Sequence, residues 1–222
     1  MPLGAFLALA LVYAVAALVT LWSVVRDWRA LFDDVWTPQD NQLAQRVGFL
    51  LLTPPLVWLH ELGHATAMRF YGATDPQIHF FLYLGFVTSR YPFTPIQNFV
   101  VFLAGPLVTY LLGIGLLAVA LLVPLRPAVA LALASCAIVN LALVLVMYPA
   151  MSLAGGWGDF VGIYQGGVPM ASLVVGVVHV ASLVAFGWLM NRVWMKGFLA
   201  YPVARPWRLQ WRPTVPQGDA PQ

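Results

Sequence analysis

Residues 60 to 64 read His60-Glu61-Leu62-Gly63-His64. On a helix, side chains four apart share a face, so two imidazoles at this spacing can hold one Zn²⁺. The carboxylate beside the first histidine can then take a proton from water that the metal has acidified. Zinc lowers the pKa of such a water from about 16 to about 7, which makes hydroxide available at neutral pH. The opposing reading is a chance pattern on a buried helix. Against it, Glu61 is the single glutamate of the chain, and His60 and His64 are two of its four histidines. All three fall in an apolar run, where uncompensated ionisable groups are costly.

Catalytic zinc takes three protein ligands and leaves one position open. A second glutamate does not exist, and Cys136 is the only cysteine. Cys136 forms no intrachain disulfide and reads as a small packing residue. The candidates for third ligand are Asp159, Asp75, His79 and His179. Asp159 is preferred because it follows Ala154-Gly155-Gly156-Trp157-Gly158, where small residues permit close backbone approach. Its carboxylate is isolated in an uncharged neighbourhood and needs a cation. The bland alternative is a cap on a short helix starting at Phe160. Asp75 precedes Pro76 and suits a turn. His79 is a candidate for orienting a ligand or lying near a substrate path, and His179 reads as a packing histidine.

The elements that must position these groups belong to a membrane. Of 222 residues, 61% are hydrophobic and 9% charged, against about 25% charged in a soluble domain. So few charges cannot cover a water-facing surface. The net charge of +3 is spread too thinly for a nucleic-acid surface and reads as a topology signal. The sequence predicts an all-α integral membrane protein, a single multi-pass domain over 1–195. Five transmembrane helices are expected, near 3–25, 47–71, 97–123, 127–148 and 170–194. The first is a retained helix, since no basic leader or cleavage site accompanies it. Arg26 to Arg46 reads as a loop, with a short interfacial helix around Trp28 to Trp36. Pro54 and Pro55 are expected to kink or restart the second span. Gln77 to Thr88, rich in aromatic and β-branched residues, predicts a hairpin-like segment. Pro149 to Pro169 predicts a broken, Gly-rich segment carrying Asp159. Residues 196–222 form a basic, Pro-rich tail.

Three features taken together resemble the site-2 protease family of intramembrane zinc metalloproteases. They are the His60-to-His64 motif within a membrane span, the strand-like Leu84-Gly85-Phe86-Val87, and Leu103-Ala104-Gly105-Pro106-Leu107 in the next span. The last looks like that family's Ala-Gly-Pro element, and the resemblance covers about Pro54 to Gly162. It implies zinc held by His60, His64 and an aspartate, with Glu61 as general base. It also implies a strand that pairs with an unwound substrate helix, which makes Gly85 and Phe86 substrate-binding candidates. Asn140, and more weakly Asn98, are candidates for the family's substrate-binding asparagine. The chain departs from the family at the third ligand, where Trp157-Gly158-Asp159-Phe160 replaces the usual Leu-Asp-Gly setting.

The expected function is zinc-dependent hydrolysis of peptide bonds in membrane-embedded substrates. The expected partners are a transmembrane protein or peptide and the lipid bilayer, and no nucleic acid. Alternatives are a zinc-dependent membrane hydrolase of another substrate, or a non-catalytic membrane protein retaining a metal site. A bacterial cytoplasmic membrane is the expected location. The positive-inside rule puts the hairpin on the external face, whereas the resemblance puts it on the cytosolic face.

Overall fold

Long apolar runs become helices here, even where Pro106 or Pro149 falls inside them. In the computed structural model, which describes residues 3–33 and 35–195, four helical stretches are long and apolar enough to cross a membrane. They are Leu7–Arg26, Pro95–Leu122, Pro127–Gly155 and Pro169–Arg192. The expected tail from 196 lies outside the described residues. The first and last of the four are almost unburied, and the third is 61% buried. The Pro127–Gly155 run is therefore the central element, and the two outer helices leave most of their apolar surface exposed. A helix that is apolar and unburied needs lipid around it.

The stretch expected as the second span is helical but is not one of these four. Its apolar character is diluted by Pro54, Pro55, His60, Glu61 and His64. After α1 (Leu3–Arg26) and the single turn α2 (Trp28–Leu31), helix α3 (Pro38–Arg46) leads through a π-helical segment, Val47–Leu52, into α4 (Thr53–Phe70). The expected loop before Arg46 is thus largely helix. Thr37 and Asp40 form a reciprocal capping box with Pro38 at the first helical position, a start signal that the polar composition concealed. The prolines do not break the run. Pro54 and Pro55 lack amides to serve carbonyls one turn back, and the ladder widens into the π segment.

After α4 comes an antiparallel hairpin, β1 (Gln77–Phe80) and β2 (Gly85–Thr88), with His79 opposite Phe86 and Phe80 opposite Gly85. Asp75 ties its base by accepting from Ser89 Oγ at 2.7 Å and the Arg90 amide at 3.0 Å. Helix α5 (Pro95–Leu122) returns, capped by a Thr94–Gln97 box. Arg126 then donates to the Phe32 carbonyl at 3.2 Å. This puts the turn before α6 (Pro127–Ala142) at the same end as residues 27–37, so the 38–70 run carries the chain from that end to the hairpin.

A second π segment, Leu143–Met147, joins α6 to α7 (Tyr148–Gly155), again just before a proline, Pro149. The Gly-rich stretch is broken as expected, into α7, a turn at Gly156 and Gly158 with φ of 66° and 93°, and α8 (Asp159–Gln165). Helix α9 (Pro169–Met195) follows. The buried core that braces the site joins Phe99 of α5, Val144 and Leu145 of the π segment, and Phe160 and Ile163 of α8.

Candidate metal centre

Helix α4 places His60 and His64 on one face, and their Nε2 atoms are 3.1 Å apart. Asp159 arrives from the first turn of α8. Its Oδ2 is 3.1 Å from His60 Nε2 and 3.2 Å from His64 Nε2. Gly158, at the N-cap, makes no side-chain cap bond, and the Asp159 carboxylate turns to the histidines. The other candidates stay apart. Asp75 serves the hairpin base, and His79 meets Thr88 Oγ1 at 3.2 Å and stacks on Phe86. His179 is held by the Tyr164 hydroxyl at 2.7 Å and the Leu145 carbonyl at 2.8 Å, as a packing histidine should be.

The triangle fits a zinc ion. Bonds of about 2.0–2.1 Å in a tetrahedral arrangement need ligand atoms about 3.3–3.4 Å apart, close to the spacing found. Tautomers agree. His64 Nδ1 lies 2.6 Å from the Val101 carbonyl, which can only accept, so Nδ1 carries a hydrogen, and in its neutral form the ring offers the Nε2 lone pair inward. His60 Nδ1 meets Thr109 Oγ1 at 2.9 Å and can present Nε2 in the same way. Three such atoms this close need either a shared hydrogen, donated from a histidine Nε2 to Asp159 Oδ2, or a metal cation among them. Among the described residues, these three form the one cluster with metal-ligand geometry.

Two glycines make the approach of α5 possible. A Cβ on Gly63 would stand 2.9 Å from the Ala104 carbonyl oxygen. A Cβ on Gly105 would collide with His64 Nε2 and lie 2.7 Å from His60 Nε2. The glycine of Ala104-Gly105-Pro106 is thus a notch for the two rings. Pro106 removes the amide that would bond the Phe102 carbonyl, and the neighbouring carbonyl, that of Val101, supports His64. Val101, Gly105 and Thr109 recur every four residues, so they share one face of α5. That periodicity could have singled out Thr109, which sequence reasoning missed.

Glu61 is 4% exposed, and its Oε2 is buried without a protein partner. This oxygen lacks the hydrogen bond that a buried carboxylate calls for, and Glu61 lines the same cleft as the three ligand residues. Strand β2 closes over it. A Cβ on Gly85 would be 2.6 Å from both Glu61 Cγ and Oε1, so only glycine lets the strand lie this close.

These groups line a cleft of about 450 Å³, within the range of ligand pockets. Phe86, Phe102, Val144, Met151 and Trp157 supply much of its apolar wall, and no Lys or Arg is among the lining residues. Gly85 and Phe86 border it. Asn140 also lines it, but its amide donates to the Cys136 carbonyl at 2.8 Å and to Thr53 Oγ1 at 3.3 Å. It therefore ties α6 to the start of α4. Asn98, in the first turn of α5, is not part of the lining. Tyr148 joins the wall from α7 with no warning in the sequence pattern. No protein-family model, curated protein or solved structure matches the chain.

Proposed function

We propose that this chain is a membrane-embedded zinc metalloendopeptidase that hydrolyses peptide bonds of membrane-inserted substrates. One observation carries the reading: the His60–His64–Asp159 triangle shares a cleft with Glu61, whose buried Oε2 has no protein partner. When bound, zinc supplies Lewis acidity, which acidifies water and polarises a carbonyl. His60, His64 and Asp159 would hold the ion, and Thr109 and the Val101 carbonyl keep the rings oriented. Glu61 accepts a proton from the attacking water and passes it to the departing nitrogen.

The hairpin beside Glu61 favours a peptide substrate. An extended segment can add to a strand edge through main-chain hydrogen bonds, and a substrate helix must unwind before its peptide bonds are accessible. The cation-free lining speaks against a phosphate-bearing substrate, which would call for Arg or Lys. The expected partners are the transmembrane segment of another protein and the surrounding bilayer. In this reading the 47–70 run is a fifth crossing, and a bacterial cytoplasmic membrane is the setting.

The test is zinc content and cleavage of a transmembrane peptide in detergent by wild type, Glu61→Gln and Asp159→Ala. Wild type should hold about one zinc and cut. Glu61→Gln should keep zinc and lose cleavage, and Asp159→Ala should lose zinc. A wild type without zinc refutes the metal site. A zinc-loaded wild type that cuts no peptide refutes the substrate class alone.

A further inference from the structure

We infer that Tyr148 is the hydrogen-bond donor to the oxyanion that forms when a peptide carbonyl is attacked in this cleft. This catalytic role rests on the peptidase reading above. Tyr148 opens α7 directly after the Leu143–Met147 π segment, a wide turn of the kind that recurs at functional sites. Its ring is 6.1 Å from the His60 ring and packs edge-on against Phe160 at 5.8 Å. Its hydroxyl faces Asp159. It also lies 3.5 Å from where a Gly158 Cβ would stand, which places it beside the residue that precedes Asp159. The tyrosine therefore reaches the cleft from the Asp159 side, whereas Glu61 lies under strand β2.

The other side-chain donors of the cleft are committed or turned away. Tyr83 donates to the Phe49 carbonyl at 3.0 Å. Asn140 donates to Cys136 and Thr53. Thr109 faces His60 Nδ1. The Trp157 indole nitrogen folds back towards Gly155, and the residue is 45% exposed. The Tyr148 hydroxyl is also engaged, but by Asp159 itself, so its hydrogen stays on the ligand side of an apolar cleft, where a donor near developing charge is most effective.

The step balances without proton transfer from the phenol. Water oxygen bonds to the carbonyl carbon, and Glu61 takes one water proton. The C–N bond then breaks, and that proton goes to the leaving amine. Tyr148 keeps its hydrogen throughout and only shares it with the oxyanion.

Tyr148→Phe keeps the ring packing and removes the donor. The expected result is wild-type zinc content, a KM within about twofold and a kcat about 10²-fold lower. Affinity for a peptide phosphinate, whose tetrahedral anion mimics the attacked carbonyl, should fall by a comparable factor. Binding of the uncleaved peptide, measured in a Glu61→Gln background, should not change. Unchanged kcat and phosphinate affinity would overturn the proposal. So would loss of zinc, which would make Tyr148 a support for Asp159. If wild type binds zinc but cuts no peptide, the peptidase reading fails by itself. The phosphinate comparison still decides for Tyr148: weaker binding supports an oxyanion donor, and equal binding overturns it.

Discussion

Replacing Gly85 with alanine tests whether strand β2 sets the position of Glu61, the proposed general base. Gly85 is not among the glycines with positive φ, so alanine meets no backbone penalty there, and the effect isolates one steric contact. The new Cβ would sit 2.6 Å from Glu61 Cγ and Oε1, and ordinary contact begins at 3.4 Å. Either the hairpin retreats by about 0.8 Å or the buried carboxylate swings aside by a similar amount. Both displace the base relative to the ligand triangle, and a misplacement of about 1 Å can cost about 10²-fold in rate. Zinc should be retained, because the three atoms nearest the added methyl all belong to Glu61. The assay is kcat and KM on the transmembrane peptide, with zinc measured on the same sample. We expect kcat to drop by between about 10- and 100-fold at full zinc occupancy. Wild-type kcat would refute the argument that β2 presses on the base, and loss of zinc would refute the separation of strand from ligands.

Thr109→Val is nearly isosteric and removes the partner of His60 Nδ1; zinc affinity by chelator competition should weaken by about 10- to 100-fold, and equal affinity would mean that the threonine does not orient the ring. Gly105→Ala places a methyl against both histidine nitrogens, so the purified protein should carry little zinc while its helical circular dichroism stays intact. His179→Leu leaves the Tyr164 hydroxyl and the Leu145 carbonyl without their partner; it should cost stability of about 1–3 kcal/mol in thermal unfolding, yet keep wild-type activity per bound zinc. The Asp75 carboxyl is held below its ordinary range by the Ser89 hydroxyl and the Arg90 amide. A depressed folded-state pKa contributes stability above the ordinary value and loses it as pH falls. Hydrogen-exchange protection of the Arg90 amide should therefore weaken as pH drops below about 4, and a flat profile would contradict this.

Local rules made much of this protein legible before any fold was known. Too few charges to cover a surface imply lipid, and residues 77–88 have the composition of a short hairpin. The i, i+4 spacing brings His60 and His64 together within a single helix. Helix starts were harder to see. α3 begins inside a polar stretch, and its capping box competes with composition that reads as loop. The motif-bearing run is diluted by the prolines and ionisable groups that make it distinctive, and does not rank with the four apolar crossings. The meeting of Asp159 with His60, 99 positions away, could be argued from the chain but not located, because it depends on α4 and α8 both packing against α5. The Val101 carbonyl and Tyr148 were beyond reach for the same reason, whereas Thr109 was within reach of the four-residue periodicity on α5. Sequence by itself determined which side chains can bind a metal and move a proton, since those are properties of residue type and short spacing. Tertiary structure alone decided which oxygen closes the triangle, which groups hold the rings, and how near a strand lies to Glu61. Such contacts depend on helix-to-helix distances that glycine notches at 63, 85 and 105 set to within an ångström.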